Sequence, residues 1–273
     1  MALTDLQKRI MQRLSANRSE SSYLAGGLIL NLAWPRRSDD IDIFHDTDEE
    51  VSGAANKDIA DLEAAGFQVS VDVRTYGTFE ATVSDNSSAT IIQWMSDTKL
   101  RFFPLVKDEQ WGLRLHQADL AVNKILAASS RKKARDFADI VAITASMCPL
   151  GPLVMAAAGK PPGYSPQKII EQIRWHAQSV PDDEYTAVKG LPADWTPRFI
   201  RDEVTRWADL AEKYIMSAPV DVVGILSVDA HGTPIEVTAD TIKTAVLRKA
   251  TDEPDVMPVP VEFGTTQWGQ PGT

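Results

Sequence analysis

The sequence predicts an α+β fold in which a mixed β-sheet flanked by helices precedes a mainly helical C-terminal part and an extended tail. Over the first hundred residues, helical patterns alternate with strand-like ones, and three strand-like runs follow one another at 67–73, 78–85 and 89–95. From about residue 116 onward the apolar residues recur at helical spacing. These changes of pattern divide the chain into 1–115, 116–218 and 219–273.

The elements of the first part are predicted from local signals. Thr4 and Gln7 have the spacing of a capping box, which predicts an N-terminal helix. Gly26 and Gly27 interrupt the regular pattern, and Gly66 is placed to end a helix. Between these signals we expect a short helix at 28–32, a strand at 40–44 and a helix at 51–65.

The later elements are mostly helices. Apolar periodicity predicts helices over 116–130 and 135–147, separated by a short basic loop. The pairs Ser165-Pro166 and Thr196-Pro197 combine an N-cap residue with proline at the first helical position, so we expect helices near 166–180 and 197–217. A hairpin at 223–237, a short helix near 239–249 and the extended tail complete the prediction.

The composition excludes several classes of protein. No apolar run reaches the ~18 residues of a membrane span, and the opening "MALTDLQKRIMQRL" predicts an amphipathic helix, not a signal peptide. Cys148 is the only cysteine, so an intramolecular disulfide and a zinc–cysteine cluster are both excluded. These features predict a cytoplasmic protein without a membrane partner. The net charge of −10 argues against nucleic-acid binding by the surface as a whole.

The charge is distributed unevenly along the chain. Residues 39–63 hold ten acids and one lysine, whereas residues 124–135 hold five basic residues and no acid. Carboxylates that face a metal and cations that face phosphate would suit a metal-bound polyphosphate. Two solvated faces of opposite charge remain the alternative.

The first candidate site lies in "YLAGGLILNLAWPRRSDDIDIF", residues 23–44. Residues i and i+2 of a strand point to the same side, so Asp40 and Asp42 project together and repel each other unless a cation lies between them. Magnesium prefers such hard oxygen ligands. Glycines just upstream would let the backbone approach a phosphate. The alternative is a strand edge with two solvated aspartates.

"AGG" followed by "RRSDDIDIF" resembles the signature of the DNA polymerase β-like nucleotidyltransferase superfamily. The segments "LRFFPL", "WGLRLHQADLAVNKILA" and "RKKARDFADIV" resemble the AbiEii/AbiGii-type toxins of that superfamily, a branch that includes MenT-like enzymes. The resemblance covers roughly residues 20 to 145. It implies a nucleotidyltransferase fold with 1–115 as the catalytic core and 116–218 as a helical part completing the active site.

The resemblance also implies an activity. Such enzymes transfer a nucleotidyl group from a nucleoside triphosphate (NTP) to an acceptor hydroxyl with two metal ions, here magnesium. By position, Asp40 and Asp42 would hold the metal, Gly26 and Gly27 would lie near the triphosphate, and Ser38 could bind phosphate. The implied partners are RNA, notably tRNA, and an antitoxin protein. A small-molecule or protein acceptor, or a catalytically silent interaction module, remains an alternative.

Three further residues are candidates in the helical part. Lys124 lies on the flank of an apolar helical face, where it either extends to solvent or, as the resemblance implies, neutralises the triphosphate. Asp136 and Asp139 are three residues apart and share a helical face. Asp136 is expected mainly to cap its helix, and Asp139 is expected to orient Lys124 or to contact the nucleotide. All three are counted as candidate catalytic residues.

The third strand carboxylate of the superfamily has no clear counterpart. Asp72 and Asp97 are the candidates, with Asp72 the favoured position; the alternative is that neither serves and that the helical acid Asp139 takes over the role. The central strand position holds Gln93, which cannot act as a base.

Overall fold

The computed structural model describes residues 3–34 and 36–253. These residues form two compact units. Unit 1 consists of the described residues up to Lys99 together with Leu105–His116, and unit 2 consists of Leu100–Pro104 and the described residues from Gln117 onward. The predicted extended tail lies outside the described residues, since residues 254–273 are not among them.

Unit 1 is built around one mixed sheet. Its described elements are α1 (Asp5–Leu14), β1 (Ser22–Ala25), α2 (Gly26–Leu30), β2 (Asp40–His45), α3 (Asp48–Ala64), β3 (Gln68–Thr75), β4 (Thr78–Ser84), β5 (Ala89–Ser96), β6 (Val106–Asp108) and β7 (Gly112–Arg114). The strand order is β3-β4-β5-β2-β1-β7-β6. Strand β2 pairs in parallel with β5 and antiparallel with β1, and β1 pairs in parallel with β7. The α+β prediction with a mixed sheet is therefore confirmed.

The two faces of this sheet differ in chemistry. Ile41 and Ile43 of β2, with Ile92 and Trp94 of β5, are fully buried on the face against which α1 and α3 pack. Because side chains alternate along a strand, Asp40 and Asp42 project from the opposite face. The hydrophobic alternation of "DIDIF" thus sets the side on which the aspartates appear.

Helix α1 begins as the sequence predicts and reaches the segment before β2. Thr4 and Gln7 form the capping box, each side chain accepting from the other residue's backbone N–H. The side-chain amide of the buried Gln7 also donates to the backbone carbonyl of Ser38 at 2.8 Å. The start of α1 therefore holds the chain two residues before the first aspartate of β2.

Unit 2 is mainly helical. Its described elements are α4 (Gln117–Ser130), α5 (Ala134–Ser146), α6 (Leu150–Ala157), α7 (Pro166–Ser179), α8 (Asp182–Thr186), α9 (Pro197–Ser217), β8 (Ile225–Val228) and β9 (Val246–Lys249). Ser165 and Thr196 cap α7 and α9 as predicted. Helix α6 was not predicted, because "LGPLVMAA" is apolar on all sides and buried throughout, so no periodicity marks it.

Residues 219–253 differ from the prediction. Strand β8 pairs antiparallel with β9. The predicted local hairpin is present only as a turn with the isolated bridge Val228–Pro234, flanked by backbone hydrogen bonds from Asp229 to Thr233 and from Ile235 to Ser227. Pro234 has no backbone N–H to continue a ladder. The short helix predicted near 239–249 is wrong: a 3₁₀ turn at Thr241–Lys243 leads into β9. Pairing with β8 overrides the local helical pattern.

Membrane-spanning helices are not found in the part of the chain that the structure describes, because none of its helices combines the necessary length with sufficient apolar character.

Candidate active site

The aspartate pair lies beside the turn that precedes α2. Ala25, the last residue of β1, is the antiparallel partner of Asp42, so the following glycines are brought next to that carboxylate. Gly26 has φ +71°, and a Cβ atom placed on it would overlap the carboxylate of Asp42. Only glycine accepts both this backbone conformation and this approach. The spacing between "GG" and "DID" therefore places a backbone turn directly against an acidic side chain.

Gly27 makes a second close approach. A Cβ atom there would overlap the guanidinium of Arg36, which is 5 % exposed and donates from Nη1 to the carbonyl of Arg37 at 3.0 Å. Arg36 thus brings a buried cation to the glycine turn. The adjacent arginines before the aspartates were the only sequence signal for it.

Ser38 acts on Asp40. Its hydroxyl donates a short hydrogen bond to Oδ1 of Asp40, and both side chains are buried. In this geometry the serine proton is directed to the carboxylate. Ser38 therefore orients an acid of the pair, whereas the family resemblance implied a contact with phosphate.

The register of the sheet shows which carboxylate lies nearest to the aspartate pair on the neighbouring strands. Asp42 is the Cα partner of Gln93 on β5, and Gln93 is in turn the partner of Glu80 on β4. The amide of Gln93 donates to the carboxylate of Glu80. Glu80 is therefore the acid that follows Asp42 and Gln93 across this face, and the sequence pattern did not single it out.

The two carboxylates considered from the sequence lie elsewhere. Asp72 is on the edge strand β3, exposed, and accepts from the hydroxyl of Thr82 at 2.6 Å. Asp97 follows β5 and its backbone N–H donates to the carbonyl of His45, at the far end of β2 from Asp40. Neither lies next to the aspartate pair in the sheet.

A buried ion pair supports the other face of β2. Arg18 and Asp58 are both fully buried, with Nη2 of Arg18 2.7 Å from Oδ1 of Asp58, and the indole N–H of Trp94 donates to the same carboxylate at 2.8 Å. His45, the last residue of β2, is 1 % exposed. Burial and then the neighbouring Arg18 charge lower the pKa of His45, so it stays neutral near pH 7.

Unit 2 carries a separate charged cluster at the junction of α4 and α5. Nζ of Lys124 lies 2.7 Å from Oδ1 of Asp136 and 3.0 Å from Oδ2 of Asp139, and both carboxylates are fully buried. Arg131 donates to Asp136 from Nε at 2.8 Å and from Nη2 at 3.2 Å. The structure thus brings the three candidate residues of the helical part into direct contact.

The electrostatics of Asp136 follow from these partners. Burial by itself raises the pKa of the carboxyl, but Lys124 and Arg131 outweigh burial and hold the pKa at about 2. Asp136 is therefore ionised at neutral pH, although its side chain is fully buried.

The expectation that Asp136 mainly caps its helix is wrong. Helix α5 begins at Ala134, its N-cap Lys133 has no side-chain cap bond, and the oxygens of Asp136 accept from Lys124 and Arg131. The two basic partners precede Asp136 by 12 and 5 residues. The local pattern at a helix start cannot reveal contacts that depend on how α4 packs on α5.

Another buried acid, Asp119, was not singled out from the sequence. Its two oxygens accept from the backbone N–H groups of Phe102 and Phe103 at 2.9 and 3.0 Å, and Nζ of Lys160 lies 3.8 Å away. Burial raises the pKa of Asp119 above its ordinary value, because it outweighs the opposing effects of Lys160 and the two backbone donors. These contacts give Asp119 a structural role: it ties residues 100–104 to the start of α4.

The donor set of the aspartate pair fits magnesium. The two carboxylates offer hard oxygen atoms on one face of the sheet, beside the glycine turn that lies against Asp42. Within residues 3–34 and 36–253, histidine, cysteine, aspartate and glutamate form no group of three that could hold a metal. Magnesium is commonly bound by one or two carboxylates together with substrate phosphates, so a pair is a sufficient protein contribution.

Comparison with solved structures identifies the fold. No protein-family model matches the sequence, and no curated protein matches it either. MenT4, a nucleotidyltransferase toxin from Mycobacterium tuberculosis H37Rv, superposes with a TM-score of 0.55 at 12 % identity, covering 80 % of this chain and 84 % of MenT4. JHP933 from Helicobacter pylori superposes with a TM-score of 0.46 at 14 % identity, covering 78 % and 95 % of the two chains. The chain therefore has the nucleotidyltransferase fold of MenT4, as the sequence resemblance implies.

Proposed function

We propose that this protein is a magnesium-dependent nucleotidyltransferase that moves a nucleotidyl group from an NTP to an acceptor hydroxyl. The observation that carries the proposal is the pair Asp40 and Asp42 on one face of β2, with Gly26 packed against Asp42. The fold shared with a nucleotidyltransferase toxin supports it.

Within this proposal the residues of unit 1 would hold the magnesium ion and orient its ligands. Asp40 and Asp42 would hold magnesium, which when bound neutralises the triphosphate and polarises the phosphorus under attack. Ser38 fixes the rotamer of Asp40 through its hydrogen bond. Gly26 and Gly27 would lie near the triphosphate: their turn lies directly against Asp42, and the Arg36 guanidinium beside Gly27 adds a positive charge.

Unit 2 supplies the other candidate catalytic residues of this proposal. Lys124 supplies a cation for the phosphates, and Asp139 orients it across 3.0 Å. Asp136 positions both Lys124 and Arg131. Because two acids hold one lysine, the ammonium is fixed in place before substrate binds, which lowers the ordering cost of binding.

We further propose that the acceptor is RNA, tRNA in particular, and that the protein acts in the cytoplasm as the toxin of a toxin–antitoxin pair. Support comes from the resemblance of residues 20 to 145 to the AbiEii/AbiGii-type branch and from the fold shared with MenT4, itself a nucleotidyltransferase toxin. An antitoxin protein would then be its partner.

The test is transfer of label from each of the four α-³²P-labelled NTPs, with magnesium, into a lysate separated into RNA, protein and small molecules. We expect label in RNA with one preferred NTP, and none in the Asp42→Asn protein. Label in protein or in small molecules would move the acceptor to those classes. A wild-type protein that neither binds Mg–NTP nor transfers label would be a silent interaction module, and the proposal would be wrong.

A further inference from the structure

Unit 2 carries an exposed aromatic and basic surface next to the Lys124 cluster. It consists of the α4–α5 loop residues Arg131, Lys132 and Lys133 and of Tyr164, Lys168 and Trp175 on and before α7, and is called the Trp175 surface below. Every residue of the loop is exposed. The loop lies in the stretch 124–135, which holds five basic residues and no acid in a chain of net charge −10.

Trp175 is the unusual member of this surface. It is 56 % exposed, although tryptophan is on average a well-buried residue. Among the tryptophans in the part of the chain that the structure describes, it is the only one whose side chain is mostly exposed. Nζ of Lys132 lies 3.8 Å from the centre of its ring. The indole therefore stands in water with a cation over one face.

The position of Trp175 is set by its neighbour. His176 is buried, and its Nδ1 donates to the carbonyl of Ala128 at 3.0 Å, which fastens α7 to the last turn of α4. Because Trp175 precedes His176, its ring is brought to the loop that begins three residues after Ala128. Arg131 in that loop donates a hydrogen bond to Asp136, and Lys124 donates to the same carboxylate. The surface thus continues directly into the proposed phosphate-binding cluster.

A second ring repeats the arrangement. Nζ of Lys168 lies 3.9 Å from the centre of the Tyr164 ring. Lys168 and Trp175 are seven residues apart, which places them on the same side of α7 about 10 Å apart along its axis. Glu171, an acidic residue, lies between Lys168 and Trp175 on that side of α7. The Trp175 surface therefore holds two aromatic rings, the exposed Trp175 and the partly exposed Tyr164, each with an ammonium group against it.

We propose that the Trp175 surface binds single-stranded RNA, with an unpaired base stacked on Trp175 and the adjoining phosphates contacted by Lys132 and Lys133. Aromatic rings within a basic strip are the chemistry that binds single strands, because every base has a π-face and every nucleotide carries a negative phosphate. That this RNA is the acceptor of the transferase reaction rests on the proposed function. Its surface, its residues and its binding test do not depend on catalysis.

The experiment measures fluorescence anisotropy of a labelled single-stranded RNA of about 12 nucleotides, without NTP, at a series of salt concentrations. Trp175→Ala is expected to weaken binding by about tenfold or more, whereas Trp175→Phe, which keeps an aromatic face, should stay within a few-fold of wild type. Lys132→Gln should reduce the slope of log K against log salt by about one.

Trp207→Ala is the matched control. Arg206 lies over the Trp207 ring at 4.4 Å, but Glu203 pairs with that guanidinium, so the site lacks a net positive charge. The control should bind RNA as wild type does. Circular dichroism and the melting temperature of each variant establish that it is folded.

Several outcomes overturn the inference. Equal RNA affinity of the Trp175→Ala and Trp207→Ala proteins does so, as does binding of duplex RNA as tightly as single strands without dependence on Trp175. Trp175-dependent binding of vesicles containing phosphatidylserine, with no binding of the RNA, would assign the surface to a membrane instead. RNA binding that is intact in a protein without transferase activity contradicts the proposed function alone. Transfer to RNA with an unchanged KM in Trp175→Ala contradicts this inference alone.

Discussion

The two aspartates of β2 have different environments. Asp40 is buried and accepts from Ser38, whereas Asp42 is half-buried and faces Gly26. Their two negative charges lie on the same side of one strand, two residues apart, and disfavour each other in the absence of a cation. The pair is therefore an arrangement that a bound cation would stabilise.

Asp40→Asn and Asp42→Asn should each abolish magnesium-dependent transfer while leaving the protein folded, since each change removes a negative charge from a repelling pair. Asp39→Asn is the control, because Asp39 is the exposed neighbour that precedes the strand. Transfer of label and the melting temperature should be measured side by side. Full activity in either of the first two variants would show that the pair is not the metal site.

Gly26→Ala should destabilise unit 1, because alanine at φ +71° is strained and its Cβ would overlap the Asp42 carboxylate. Gly53→Ala is the matched control. It lies inside α3 with nothing within 4 Å of its Cβ position, so alanine there should stabilise by roughly 0.5–1 kcal/mol. Urea unfolding of both variants gives the comparison. A Gly26→Ala protein as stable as wild type would mean that the turn can move away from Asp42.

At the scale of elements, the junction of α4 and α5 depends on ion pairs to two fully buried carboxylates. Lys124 on α4 is held between Asp136 and Asp139 on α5, and the loop between the helices returns Arg131 to Asp136. Removing one member leaves the others buried without full compensation. The ion pairs that stabilise this junction therefore also hold Lys124, the proposed phosphate contact.

Asp136→Asn should cost about 3 kcal/mol of unfolding free energy, because it breaks a buried pair from one side. The pKa of Asp136 is lowered to about 2 in the folded protein, against about 3.9 when unfolded. The ionised carboxylate therefore stabilises the fold above pH ~4 by roughly 2–3 kcal/mol, and this contribution is lost as the pH falls from ~4 to ~2. Denaturant unfolding measured between pH ~4 and ~2 should show this loss of unfolding free energy in the wild type and a smaller loss in Asp136→Asn. Identical pH profiles would contradict the assignment.

Asp139→Asn should lower turnover by on the order of tenfold or more, because a charge-assisted hydrogen bond to Lys124 contributes ~1.5–3 kcal/mol. The complete burial of Asp139 also predicts a loss of stability, so kcat must be measured well below the variant's melting temperature. Arg131→Gln is the comparison: it removes a half-exposed partner from Asp136 and leaves Asp139 with Lys124. A variant of Asp139 with wild-type kcat would make its role purely structural.

At the scale of the whole molecule, both units contain candidate residues: Asp40 and Asp42 belong to unit 1 and Lys124 belongs to unit 2. Anything that binds the folded protein and not the unfolded chain raises its stability by mass action. The melting-temperature shift that NTP causes therefore reports whether each set of residues contributes to binding.

Mg–NTP should raise the melting temperature of the wild type, with a stabilisation of about 2.7 kcal/mol when the ligand is at 100 times its Kd. Asp42→Asn should lose the part of the shift that depends on magnesium. Lys124→Gln should lose the part that NTP gives in the presence of EDTA. Differential scanning fluorimetry with NTP, magnesium and EDTA in all combinations separates the two parts. A shift that is unchanged in both variants would place the nucleotide elsewhere.

The sequence by itself determined the features that arise from neighbours along the chain. The capping box at Thr4, the N-caps Ser165 and Thr196 and the strand pattern that puts Asp40 and Asp42 on one side all follow from short-range geometry. The mixed sheet and the helical second part were predictable for the same reason, because hydrophobic periodicity reports each element separately.

The tertiary structure alone decided what depends on residues distant in sequence. The partners of Asp136 precede it by 12 and 5 residues and reach it only because α4 packs on α5. The register of β4, β5 and β2 places Glu80 beyond Gln93 and leaves Asp72 on an edge strand. Strand β9 formed where a helix was predicted, since it pairs with β8. In each case the free energy comes from contacts that no local window of sequence contains, so local pattern predicts the elements and packing decides which side chains meet.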